Sequence, residues 1–153
     1  MLDIYAKDSD SDSAFIKTIY DRFKNRDDHS FSATGFKEPF IDRGDSPNQV
    51  RHATGAITFG FAGGVTASIL PQGTWPDALG HTIAAFNERE KSYAYYVTPP
   101  PFPGVTRVPL PPTQSQQADM NLNGVAVPIG FWLGTGTVKR TDVGNLVRER
   151  ICN

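Results

Sequence analysis

Cysteine is nearly missing from this chain. Cys152 is the only one, so a disulfide within the chain is excluded and only a bridge to another molecule remains open. An excess of charge is missing too. The formal net charge is −1, and the short basic runs, Lys139-Arg140 and Arg148 with Arg150, are mixed with acids. No field of one sign exists to steer a nucleic acid or an anionic membrane, and no cluster of aromatic and basic residues offers a base-stacking surface, so nucleic acid is not expected as a partner. There is no N-x-[ST] sequon, and the first residues, MLDIYAKDSDSDS, hold no apolar signal core. Cytoplasmic residence is expected for the chain as numbered; a signal cleaved earlier leaves no trace in it.

Catalytic signatures are also absent. The chain has no GxxxxGK[ST], no GxGxxG, no GxSxG and no HExxH. Asp8, Asp10 and Asp12 imitate the first ligands of a calcium loop, but Ser13 and Ile19 stand where that loop needs glycine and glutamate. No metal or cofactor is expected. Arg43-Gly44-Asp45 spells an adhesion tripeptide, yet Ser46 and Pro47 are needed to start a helix. Arg107 to Pro112 resembles a polyproline ligand, but Leu110 occupies the place of its first core proline.

What is present is helical periodicity. The 153 residues suffice for one domain with its own core, and glycine (14) and proline (12) leave part of it irregular. Residues 1–13 read as a solvated acidic leader, followed by a single helical domain over 14–152. A first helix carries Phe15, Ile16, Ile19, Tyr20 and Phe23 on one side. A second starts at Ser46-Pro47-Asn48-Gln49 as a capping box, with Val50, Ala53, Ile57 and Phe61 inward, and Gly63-Gly64 should end or bend it. A third starts at Thr74-Trp75-Pro76-Asp77 and runs out near Glu88 to Lys91. A fourth presents Ala118, Leu122, Val125, Ile129 and Leu133, with a kink expected at Pro128 and a stop at Gly134 and Gly136. Thr141 caps a fifth. The expected fold is therefore mainly α: a compact bundle of about five helices, with at most one or two short strands. Tyr93 to Thr98 is strand-like, and residues 99–112 form a proline-rich loop excursion.

The most informative pattern is shared by the second and fourth helices. Ala56, Gly60 and Gly64 are four apart, and so are Ala126, Gly130 and Gly134. Each set lies on one helix face and makes a stripe almost without side chains, which lets two backbones approach closely. Glycine inside a helix costs up to ~1 kcal/mol against alanine, so close packing must offset it. The same spacing associates helices in membranes, but the uncharged stretches spend many positions on Gly, Thr, Ser, Asn and Pro. A close-packed pair in the core is the favoured reading, and membrane insertion is the disfavoured one.

The residues to test for chemistry are His52, His81, Glu88 and Arg51. His81 and Glu88 share a face of the third helix, about 10 Å apart along it, and Arg51-His52 sit early in the second. If these helices packed side by side, two imidazoles, a carboxylate and a guanidinium could perform acid–base work on an anionic substrate. The plainer reading buries His52 in a core hydrogen bond and leaves His81 and Glu88 on the surface. Three functions are therefore weighed. The first is a non-catalytic module acting through a protein partner or by self-association, with Tyr93, Tyr95, Tyr96 and Phe102 as contact surface. The second is a small helical hydrolase using the His/Glu/Arg set. The third is a membrane-associated hairpin of the two glycine-spaced helices.

Overall fold

A computed structural model describes residues 1–24, 35–41, 48–98 and 104–153. Among them are six α-helices: α1 (Leu2–Asp8), α2 (Asp12–Phe23), α3 (Asn48–Ala67), α4 (Trp75–Asn87), α5 (Gln114–Gly134) and α6 (Arg140–Arg150). Two strands, β1 (Tyr93–Thr98) and β2 (Gly104–Pro109), form one antiparallel hairpin. The fold is mainly α, as the periodicity predicts.

The glycine stripes account for the centre of the molecule. A Cβ added to Gly60 would overlap the Val127 carbonyl, and one on Gly130 would overlap the Ile57 carbonyl. One turn on, Gly64 meets the Phe131 carbonyl and Gly134 meets that of Phe61. Each glycine thus rests on the carbonyl three residues before the glycine opposite. The partners rise together in number along both chains, so α3 and α5 run parallel. Approach this close brings Cα–H groups against carbonyls, a weak interaction repeated at each step.

Around this pair, α2 packs on α3, α4 packs on both α3 and α5, and α6 packs on α5 and α1. Phe15, Ile16 and Ile19 of α2, Ala53, Ala56 and Ile57 of α3, Phe86 of α4, Leu122, Ala126, Val127, Ile129 and Leu133 of α5, and Val143 and Ile151 close one core. Capping at Thr113 is a full box: its hydroxyl accepts from the Gln116 N–H at 3.2 Å, and Gln116 accepts from the Thr113 N–H at 2.8 Å.

Several expectations change. Gly63 and Gly64 do not end α3, which runs through them to Ala67; contact with α5 holds the helix where propensity alone would not. Pro128 lies inside α5 without breaking it. Gly124, whose carbonyl loses the Pro128 N–H, is exposed, so the loss is not a buried one. α6 starts one residue before Thr141, with Lys139 as its N-cap.

The stretch read as a loose acidic leader contains α1. Seven residues are too few to hold a helix in isolation, so its support is tertiary. Ala6 is buried, the Arg140 Nε donates to the Ala6 carbonyl at 2.9 Å, and Arg148 binds Asp3 at 2.8 Å. Residues 99–112 are likewise not all loop, because 104–109 form β2. Val105, Thr106 and Val108 suit a strand, and Pro109 stands at its end, where a missing N–H matters least. The Ser46-Pro47 start, the Arg43 to Asp45 tripeptide and Phe102 lie outside the described residues.

Candidate functional site

The seam between α3 and α5 changes character along its length. Its C-terminal half is the glycine contact. Its N-terminal half, one to three turns earlier, is filled by polar side chains: Gln49 and the part-buried His52 from α3, Asp119 and Asn123 from α5. Gln49 and Asn123 are fully buried, and Asp119 nearly so. The Gln49 amide donates to the Asp119 carboxylate at 2.8 Å. The Asn123 amide nitrogen donates to the Asn87 side-chain oxygen at 2.8 Å. In this arrangement the oxygen of Asn123 faces the ring of His52 and lies 2.6 Å from Nε2. An amide oxygen can only accept, so Nε2 carries a proton and donates. The other ring nitrogen, Nδ1, lies 3.9 Å from the Asp119 carboxylate.

A buried carboxylate is costly unless donors surround it. The donor seen here for Asp119 is the Gln49 amide; His52 Nδ1, at 3.9 Å, is beyond hydrogen-bond distance. The remaining Gln49 oxygen meets no donor among the described residues, a cost of about 1–3 kcal/mol. Chemically, the cluster pins three helices together through α3, α5 and the end of α4. Within it Asn123 engages His52 Nε2, and Nδ1 lies on the Asp119 side of the ring.

Outside this cluster lies a cleft of about 550 Å³ between α2, α3 and α4. Arg51 and His52 both line it, together with Lys24, Arg89 and the rings of Phe59 and Phe86. The His52 ring stands edge-on to Phe86 at 5.8 Å, and the Arg89 guanidinium lies over Phe59 and Phe86 at 5.2 and 5.5 Å.

Of the four residues singled out for chemistry, the structure therefore brings two together. His81 is exposed and lines a separate shallow groove with Gly63, Thr66 and Thr82. Glu88 is exposed and pairs with Lys91 at 2.6 Å and Arg107 at 4.0 Å. Among the described residues no group of His, Cys, Asp and Glu is placed to hold a metal ion. Burial pushes the Cys152 thiol up from its ordinary value, which makes it a poor nucleophile. No helix among the described residues is long and apolar enough to cross a membrane.

Sequence reasoning missed Gln49, Asp119, Asn123 and Asn87. A signal was present: steps of three and four upstream from Gly60 and Ala56 reach His52 and Gln49, and from Gly130 and Ala126 they reach Asn123 and Asp119. The contact surface expected at Tyr93, Tyr95 and Tyr96 falls on β1, opposite Pro109, Arg107 and Thr106 of β2. Comparison with models of known families, with curated proteins and with solved structures finds no match.

Proposed function

We propose that the chain is a non-catalytic assembly module whose β1–β2 hairpin is its contact arm and whose first partner is a second copy of itself. The observation carrying this reading is the state of the hairpin. Every residue of β2 is exposed, including Val105 and Val108. Among the described residues neither strand runs along a helix. The arm is tied down at its base, where the Leu110 N–H donates to the Ser92 carbonyl at 2.9 Å and Gln116 reaches the Ser92 hydroxyl at 2.7 Å.

A two-stranded hairpin alone is marginal in water. Its two outer edges carry backbone donors and acceptors that another strand can pair with. Arg107 is the one charged residue in the two strands, so like charges do little to keep copies apart. An identical ribbon complements such an edge by twofold symmetry.

The test is to replace residues 93–109 by a short glycine–serine link between Ser92 and Leu110. The intact chain should sediment as an oligomer at micromolar concentration, and the shortened one as a monomer with its helical circular dichroism retained. An intact chain that stays monomeric, or a shortened one that still assembles, would refute the reading. A hydrolase built on Arg51, His52, His81 and Glu88 has less support, because His52 Nε2 is engaged by Asn123, and His81 and Glu88 lie away from it, Glu88 paired with Lys91.

A further inference from the structure

We infer that two copies of the chain join through the outer edge of β1, antiparallel and in a register centred on Tyr95, and that assembly closes there as a dimer. This rests on the reading of the hairpin as a self-association arm, and adds which edge pairs, in which register, and at what size growth stops.

The ladder decides what each edge offers. Along an antiparallel pair, residues that exchange both backbone bonds alternate with residues whose N–H and C=O point away from the partner strand. In the hairpin Tyr93 faces Pro109, Ala94 faces Val108, and so on to Thr98 opposite Gly104. Extending that register by one residue sets Ser92 opposite Leu110, and the Leu110 N–H donates to the Ser92 carbonyl at 2.9 Å. Theirs is therefore a bonded pair. Alternation then makes Ala94–Val108, Tyr96–Thr106 and Thr98–Gly104 bonded pairs too. The outward groups belong to Tyr93, Tyr95 and Val97 on β1, and to Val105, Arg107 and Pro109 on β2. Among the described residues no further strand lies on either edge.

The two edges are not equivalent. Laid on a second copy about a twofold axis at Tyr95, β1 sets Tyr93 against Val97, Tyr95 against Tyr95 and Val97 against Tyr93. Each of these pairs can exchange two backbone bonds, and the strand carries no charge. Laid on a second copy about Arg107, β2 sets Val105 against Pro109 and Arg107 against Arg107. Pro109 has no N–H, so both outer pairs lose a bond. Like charges directly opposite are also destabilising. Glu88, 4.0 Å from Arg107, offsets this only in part, because both side chains are exposed. Pairing β1 with β2 of the next copy would still lose the Pro109 bond and, being head-to-tail, would not close.

The self-complementary contact is β1 on β1, which gives a four-stranded sheet in the order β2–β1–β1–β2. Both edges of that sheet are β2, where the proline and the arginine oppose further pairing and stop growth at two copies. The helical bodies attach at opposite ends of the sheet, since each arm is anchored at Ser92 and Leu110.

Sedimentation and amide hydrogen exchange of the full chain test this. The intact chain should sediment as a dimer at micromolar concentration. As concentration rises, the amides of Tyr93, Tyr95 and Val97 should gain protection while that of Val105 does not. The amides of Ala94, Thr106 and Val108 serve the hairpin itself and report whether the arm is formed. Tyr95→Pro removes the outward N–H at the twofold axis and should raise the dissociation constant at least about 10-fold. Val105→Pro makes the same change on the other edge and should leave it within about 2-fold. A monomeric intact chain would sink this inference together with the assembly reading. An oligomer larger than a dimer, one protected at Val105, or one that Tyr95→Pro leaves intact would overturn the edge and register while self-assembly stands. If Tyr95→Pro also loses the hairpin, the exchange pattern of the intact chain decides.

Discussion

A Cβ on Gly130 would overlap the carbonyl oxygen of Ile57 and stand 2.7 Å from the Phe61 nitrogen. Those neighbours are helix backbone, which cannot turn aside as a flexible side chain can. Gly130→Ala must therefore push α3 and α5 apart along the whole seam, with a destabilisation of about 2–4 kcal/mol expected from overpacking. Gly124, on the same helix, is exposed and would meet nothing within 4 Å. Gly124→Ala should stabilise by about 0.5–1 kcal/mol through helix propensity alone. Urea denaturation of the two variants checks the pair. Equal effects would show that propensity, not approach of the backbones, governs these positions.

Arg140 ties α1 to the rest of the molecule. Its Nε donates to the Ala6 carbonyl at 2.9 Å, near the end of that helix, and its guanidinium lies 3.4 Å from Asp12 at the start of α2. A positive group at a helix C-terminus satisfies carbonyls that the helix itself cannot. Arg140→Ala should cost about 1–2 kcal/mol. Its clearer signature is local: amides of residues 4–8 should exchange with solvent much faster, while those of α5 keep their protection. Uniform loss of protection would mean that α1 unfolds only with the whole domain.

These two cases show what was legible in the sequence. The glycine stripes could be read because a spacing of four, repeated on two helices, is what a close approach of backbones demands. The continuation of the same seam through Gln49, His52, Asp119 and Asn123 was not legible, because polar residues inside an amphipathic pattern pass for surface. Only the neighbouring helix makes them core. α1 was hidden because LDIYAKD is shorter than two turns and owes its helix to Arg140 and Arg148, more than 130 residues away. β2 was masked by the prolines around it, although Val105, Thr106 and Val108 carry the β-branched signal.

Asp21 supplies a prediction about pH. Hydrogen bonds from Lys17 first and Lys24 second lower its carboxyl from 3.8 to about 2. A depressed folded-state value means that the unfolded chain takes up the proton first as pH falls. The group therefore contributes stability above about pH 3.8, and loses it as pH drops towards about 2. Carbon-detected NMR titration should find that low midpoint, and Lys17→Gln should raise it. Added salt should raise it too, since the pair is exposed and screened. A midpoint near 3.8 at low salt would show that neither lysine holds the carboxylate in solution.

The bond between His52 and Asn123 has the furthest reach. Asn123 accepts from His52 Nε2 because its own amide nitrogen is committed to Asn87, so α4 dictates the proton position on a ring that belongs to α3. The neutral imidazole should be the Nε2–H form, recognisable from its two nitrogen shifts, and the Nε2 proton should exchange slowly. Asn123→Ala removes the partner of the part-buried His52 donor and Asn87 acceptor, at a cost of about 1–3 kcal/mol. Asn87→Ala should instead leave the donor satisfied but free Asn123 to turn over, so stability falls less while the slow exchange of the Nε2 proton is lost. Finding the Nδ1–H form in the unaltered protein would break this chain of dependence at its first link, and with it the view that His52 is a positioned core residue rather than a presented base.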